Sequence, residues 1–395
     1  MWRLPDAIAQ RFPLVARPRP ACLPLPQRVH KLTELADSAA KLDDASVAST
    51  VYNQAALTAS DVGALDVARE MCHQHAAAYL HATPLPARAA IRALEPVVNL
   101  ARLQLSAGQS DKGRQSLLAL FDAVTTGSAI RVEGIAVPSD LVANAADRQE
   151  LRARLWSVIL ADGTRALTAA GRWAEALAHV EAHHGVGHRM LDGRQVAVLA
   201  ALTAGNSQAA DQLIATTTPG ETWERSVTDV LAALCHRVSG RPGRGSLRDL
   251  ANTYLERSHQ EDLTVFDTRL GLAVLDVIDS ADAPAARTVV AELHRRTMRT
   301  TNGHAARETI NHPLFAALAT NRQTKDCRAL VQACALGNGM FPEEVGRRLS
   351  AAVRISDRVI RQSVDHPKQA ASLRTAVGAT RHARVPAAPP DAQDL

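Results

Sequence analysis

The chain has 395 residues, 46% of them hydrophobic and only 3% aromatic, with 45 basic and 40 acidic side chains. That length admits two or three ordinary domains or one stacked array, and the scarcity of aromatics suits Ala/Leu helix packing better than a sheet. No apolar run approaches the roughly 18 residues that span a bilayer, no secretory leader pattern is present, and the five cysteines form no CxxC, which argues against a membrane span and against a disulfide framework. The expectation is a cytoplasmic protein with reduced thiols.

In chain order, Met1 to Gln27 carries six prolines, which favour an extended strip over a helix. Arg3, Arg11, Arg17 and Arg19 make this N-terminal arm (1–27) basic. It reads either as a poorly ordered terminus or as a seat for an acidic partner. A helix is predicted over Arg28 to Lys41, and Asp43, Asp44 and Ser46 offer caps for the next, near Val47. Two helix pairs follow, over Val47 to Leu80 and Pro86 to Val124, with Gly63 and Gly108 at their turns. Ile130 and Val132 alternate on one side of Glu133-Gly134, with Ile135 and Val137 on the other, so 129–137 reads as a small β-hairpin insert that must lean on the helices.

From Leu151 to Ile214 the pattern is clearest. Leu151, Leu155, Val158 and Ile159 recur at helical spacing, Gly171 ends that helix, and Trp173, Ala176, Leu177 and Val180 resume the spacing within a few residues. So short a connection makes the two helices antiparallel. The unit repeats at Val196 to Leu202, Gly205, then Ala209 to Ile214, and Gly171 and Gly205 are 205 − 171 = 34 residues apart.

This order of small-residue helix, Gly, aromatic, Ala and apolar helix resembles the tetratricopeptide repeat (TPR). The chain is also similar to the helical repeat halves of actinobacterial regulatory proteins. The resemblance covers Val47 to Ile214, with irregular intervals. It implies an all-α, right-handed α-solenoid of antiparallel helix pairs, with TPR-like repeats over 28–240 and further helical repeats with a cap helix over 241–364. In that family the first helix of each pair lines a concave groove for extended peptides. Aligning the units on their turn glycines makes Asn53, Asn99, Arg102, Asp162 and Arg165 candidate groove residues. The alternative is a solvated helix face.

The densest polar cluster is His183, His184, His188, Arg189, Asp192 and Arg194. Gly185 and Gly187 make it a loop, and no established ligand spacing such as HExxH is present, so an inter-unit turn is preferred to a metal or catalytic site. Cys72-His73-Gln74-His75 lies on a helix with Cys72 at an apolar position, better explained by packing than by ligation. Ser239 to Ser246 reads as a flexible linker and Asn302-Gly303-His304 as another break. Helices are predicted at Leu247 to Arg257, Leu263 to Ile278, Ala283 to Arg299, Glu308 to Leu318 and Asp326 to Leu336. The last helix, Pro342 to Val364, carries Arg347, Arg354, Arg358 and Arg361 roughly on one face, and 365–395 reads as a disordered tail.

The preferred function is a non-catalytic scaffold or regulatory protein that binds a peptide or protein partner on its concave face, with no cofactor, metal or catalytic residue assigned. A small-molecule site or enzyme using the 183–194 loop is the second reading, and a nucleic-acid-associated regulator using the C-terminal arginines the third. The oligomeric state is not legible.

Overall fold

A computed structural model describes residues 4–240 and 247–366. The linker at 241–246 and the tail from 367 onward lie outside the described residues. After one helical turn, α1 (Asp6–Ala9), the chain runs extended to Pro24, where the prolines deny it a ladder of amide donors. This strip is not loose, because Phe12, Leu14 and Cys22 are all buried.

Helix α2 (Leu25–Leu42) starts three residues earlier than expected, with a proline in its first turn, where a missing N–H costs nothing. Asp44 caps α3 (Ala45–Val62), its carboxylate accepting from the amides of Ser46 and Val47. Then come α4 (Leu65–Leu80), α5 (Ala87–Ser106) and α6 (Ser110–Thr126), with Gly63 and Gly108 at positive φ in the two tight turns. Strands β1 (Ile130–Val132) and β2 (Ile135–Val137) pair antiparallel, Ile130 opposite Val137. The hairpin packs on α4 and α6 with Val132, Ile135 and Val137 buried, which supplies the apolar cover that two strands alone lack.

Helix α7 (Ala145–Val158) passes through one π turn (Ile159–Gly163) into α8 (Thr164–Ala169). The His179 ring nitrogen lies 3.0 Å from the carbonyl oxygen of Ile159 at the start of the π turn, and a Cβ on Gly163 would stand 2.7 Å from that nitrogen. The bulge thus makes room for a side chain from the next helix. That helix is α9 (Trp173–Ala182), followed by α10 (Asp192–Thr203), α11 (Ser207–Ala215) and α12 (Thr222–Ser239), with Gly171 and Gly205 at the turns. Beyond the linker lie α13 (Leu247–Glu256), α14 (Thr264–Ile278) and α15 (Pro284–Thr300). Next, α16 (Gly303–Ile310) begins where a break was expected, because the Asn302 side chain accepts from the amides of His304 and Ala305 and caps it. Finally come α17 (Pro313–Leu318), α18 (Asn321–Ala333) and α19 (Glu343–Asp365).

The protein is therefore largely helical, and neighbours in sequence are for the most part neighbours in space. Helix α19 does not cap an exposed end of the stack. It packs on α2, α3 and α4, and the turn before it is held to the end of α3 by Gly337 N–H to Asp61 O (2.9 Å) and Gly339 N–H to Val62 O (2.7 Å). The last described helix thus returns to α2. Two apolar cores result. One joins α2 to α7, the hairpin and α19, and the other joins the N-terminal strip to α8 through α18. Among the described residues no helix is long and apolar enough to cross a membrane.

Candidate functional site

The first helices of the first two units, α3 and α5, stand beside α7 and leave a cavity of about 360 Å³ between them. Its floor is apolar, with Ala56 and Leu57 from α3, Leu94 and Val98 from α5, and Leu151 and Leu155 from α7, and Pro20 of the strip stands at its edge. Along it runs a ladder of polar side chains. Asn53 donates to Glu95 (2.6 Å), Asn99 donates to Asn53 (3.0 Å), and Arg102 donates to Asn99 (3.2 Å) and to Asp162 (2.8 Å). Asp162 is buried in the π turn, which sets its carboxylate toward Arg102 across the junction of the two cores. Asn53, Asn99 and Arg102 thus line one cavity, with Asp162 bonded to its rim. Arg165 instead joins Arg17, Arg19, Asp192 and Arg269 around a smaller cavity beside the strip.

The strip is itself held by polar side chains of the helices. Gln195, fully buried on α10, accepts from Leu14 N–H and donates to Leu14 O, both at 2.7 Å. Arg17 pairs with Asp192, and Arg11 with Asp276, whose other oxygen lies 3.0 Å from His312.

The side chains of the 183–194 loop do not converge. His183 sits edge-on to Phe121 and to His179, His184 is exposed at positive φ, and His188 gives only its carbonyl, to Thr218 N–H. Arg189 pairs with Glu224, and Arg194 donates to the carbonyls of Gly187 and Leu213 and to the hydroxyls of Thr216 and Thr217. Each therefore ties the loop to a different neighbour. His75 is buried against Tyr52 (ring centroids 4.8 Å apart), bonded to Ser49 at 3.0 Å, and held neutral by burial, which pushes its pKa down to about 3. On α19, Arg347 pairs with Glu344 and Arg361 with Asp357, while Arg354 and Arg358 are exposed.

One cluster has no counterpart in the sequence reading. Cys22 of the strip, Asp61 at the end of α3 and His304 in the first turn of α16 bring donor atoms of the kind that bind metals within 4.8 Å of one another. Arg28 of α2 reaches both anionic members, 3.4 Å from the Cys22 sulfur and 2.8 Å from Asp61. His304 Nε2 lies 3.3 Å from Asp61. Burial works against the imidazolium, yet hydrogen bonds to Asp61 and Cys22 raise the His304 pKa to about 9. Cys334, just past α18, completes the group, its thiol 3.1 Å from the Cys22 carbonyl oxygen. The neighbouring Cys334 thiol, with His304 and Arg28, holds the Cys22 thiol well below its ordinary range, and its place beside Cys22 pushes Cys334 up. These residues come from separate elements up to 312 positions apart, so no local spacing betrays them.

The scan of protein families finds no model that matches this chain, and neither a curated protein nor a solved structure matches it.

Proposed function

We propose that the protein is a non-catalytic, TPR-like helical array that binds an extended peptide in the cavity between α3, α5 and α7. The observation that carries this reading is the strip. A buried amide side chain already clamps both main-chain groups of Leu14, and the strip continues to Pro20, which lines the cavity. Asn53 and Asn99 present amides of the same kind over an apolar floor, a combination that takes main chain with the amides and side chains with the floor. A cavity of about 360 Å³ also lies within the size range of small-molecule sites, which supports a compact apolar ligand as the second reading.

The test is selection of random peptides on the purified protein, followed by fluorescence anisotropy. Selected peptides are expected to bind wild type, to bind Asn99→Ala about tenfold more weakly, the equivalent of about 1.4 kcal/mol, and to lose binding to Leu57→Arg, which charges the cavity floor at a partly exposed position. Peptides that bind all three proteins equally, or no selection at all, would overturn it. A small molecule retained by wild type and lost in Leu57→Arg would establish the second reading.

A further inference from the structure

We propose that Cys22 and Cys334 form a redox pair that a hydroperoxide converts into a disulfide, stapling the N-terminal strip to the end of α18 beside the start of α16. The inference is independent of peptide binding, because none of its residues lines the cavity.

Proximity is the first support. A Cβ placed on Gly303 would lie 2.6 Å from the Cys334 sulfur and 3.3 Å from the Cys22 sulfur, so the two sulfurs are separated by no more than the sum, 5.9 Å. Only a residue without a side chain leaves both sulfurs room at the start of α16. Cys22 stands in extended chain outside any helix with its carbonyl held by Gly303 N–H at 2.7 Å, so rotation of the two side chains supplies the shift that brings the sulfurs to bonding distance of about 2 Å.

Charge is the second. The Cys22 sulfur faces the Arg28 guanidinium and the His304 imidazole, while Asp61 holds both cations in place. A thiolate in such surroundings is the nucleophile of thiol oxidation. Cys72, Cys235 and Cys327 are also buried, and burial raises the pKa of Cys72 to about 12 and of Cys327 to about 11. Arg28 also bears on the metal alternative. It already neutralises the two anions a divalent ion would use, and it occupies one oxygen of Asp61. The approach for a small oxidant is at His304, whose side chain is 23% exposed, whereas Cys22 itself is 1% exposed.

The chemistry balances. The Cys22 thiolate attacks one oxygen of the O–O bond, an S–O bond forms as the O–O bond breaks, and the departing alkoxide or hydroxide takes the proton of His304. Neutral His304 then accepts the proton of the Cys334 thiol. That thiolate attacks the Cys22 sulfur, and the S–S bond forms as the S–O bond breaks. The hydroxide released leaves as water with the same proton. Two sulfurs are oxidised by two electrons in all, and the hydroperoxide is reduced by two.

The experiment treats the full-length protein with stoichiometric hydrogen peroxide and follows intact mass and non-reducing peptide maps. Wild type is expected to lose the mass of two hydrogen atoms and to yield one cross-linked peptide joining Cys22 to Cys334. Cys334→Ser is expected to stop at a sulfenic acid on Cys22 that dimedone traps, and Cys22→Ser to keep Cys334 as a thiol. If either variant fails to fold, the wild-type map still decides. Five intact thiols after treatment, or a cross-link through Cys72, Cys235 or Cys327, would overturn the proposal. So would a stoichiometric metal that co-purifies with wild type and is lost from Cys22→Ser.

Discussion

At the residue scale, the group around His304 couples folding to pH through two terms of opposite sign. The folded pKa of His304 is raised from 6.5 to about 9, so its contribution to stability is full below 6.5 and is lost as pH rises through 9. Cys22 is depressed when folded, so its contribution is present above the ordinary thiol range and is lost as pH falls through its folded value. Between pH 6.5 and 9 the two slopes cancel, and this group leaves wild type level there. Cys22→Ser removes one slope and keeps Asp61 against His304. The stability gap between wild type and the variant is expected to widen by about 1 to 2 kcal/mol from pH 6.5 to 9, where one pKa unit is worth about 1.4 kcal/mol. Urea midpoints at three pH values check this, and a gap that stays constant with pH would refute the assignment of charge.

At the scale of elements, the strip is held by contacts that its own residues do not announce. Its prolines predict an extended run, and it is extended; its burial depends on Gln195, 181 positions away, and no periodicity connects the two. The turns were legible for the opposite reason. Gly63, Gly108, Gly171 and Gly205 all fall between adjoining helices at positive φ, where local chemistry alone selects glycine. The cavity lining was half legible. Aligning the helix pairs on their turn glycines put Asn53, Asn99, Arg102 and Arg165 together; the first three line one cavity, but Arg165 stands beyond the π turn, which spacing at 3.6 residues per turn cannot foresee, and it faces the other cavity. The cluster of Cys22, Asp61 and His304 was not legible, because a helix cap at Asn302 looked like a break and the partners are far apart in sequence. Gln195→Ala removes both bonds to Leu14 together with one to Met190 O at 3.1 Å, and leaves a buried N–H and C=O unpaired. The expected cost is about 2 to 4 kcal/mol in urea unfolding, with faster tryptic cleavage at Arg11. Unchanged stability and unchanged cleavage would show that apolar packing of Phe12 and Leu14 holds the strip without the clamp.

For the whole molecule, the return of α19 to α2 changes what kind of stability the array has. In an open stack each unit touches only its neighbours, the end units lack one neighbour, and they fray first. Here the turn at Gly337 to Gly339 abuts the turn at Gly63, where a Cβ would stand 3.4 Å from Gly339 N, and Tyr52 of α3 donates to Asp357 of α19 at 3.2 Å. Both α2 and α19 thereby have packed neighbours beyond those adjacent in sequence. Closure of this kind depends on how many helix pairs pack together, a quantity that no single pair carries in its residues. Hydrogen exchange followed by mass spectrometry distinguishes the two cases. In a closed circuit the amides of α2 and α19 exchange only with the cooperative opening that also exposes α5 and α14, so all four helices should share one protection level. Exchange in α2 and α19 faster than in α5 by a factor on the order of 100, about 2.7 kcal/mol in opening free energy, would mean that the ends come apart in solution and that the contact between the first and last helices contributes little to holding the fold.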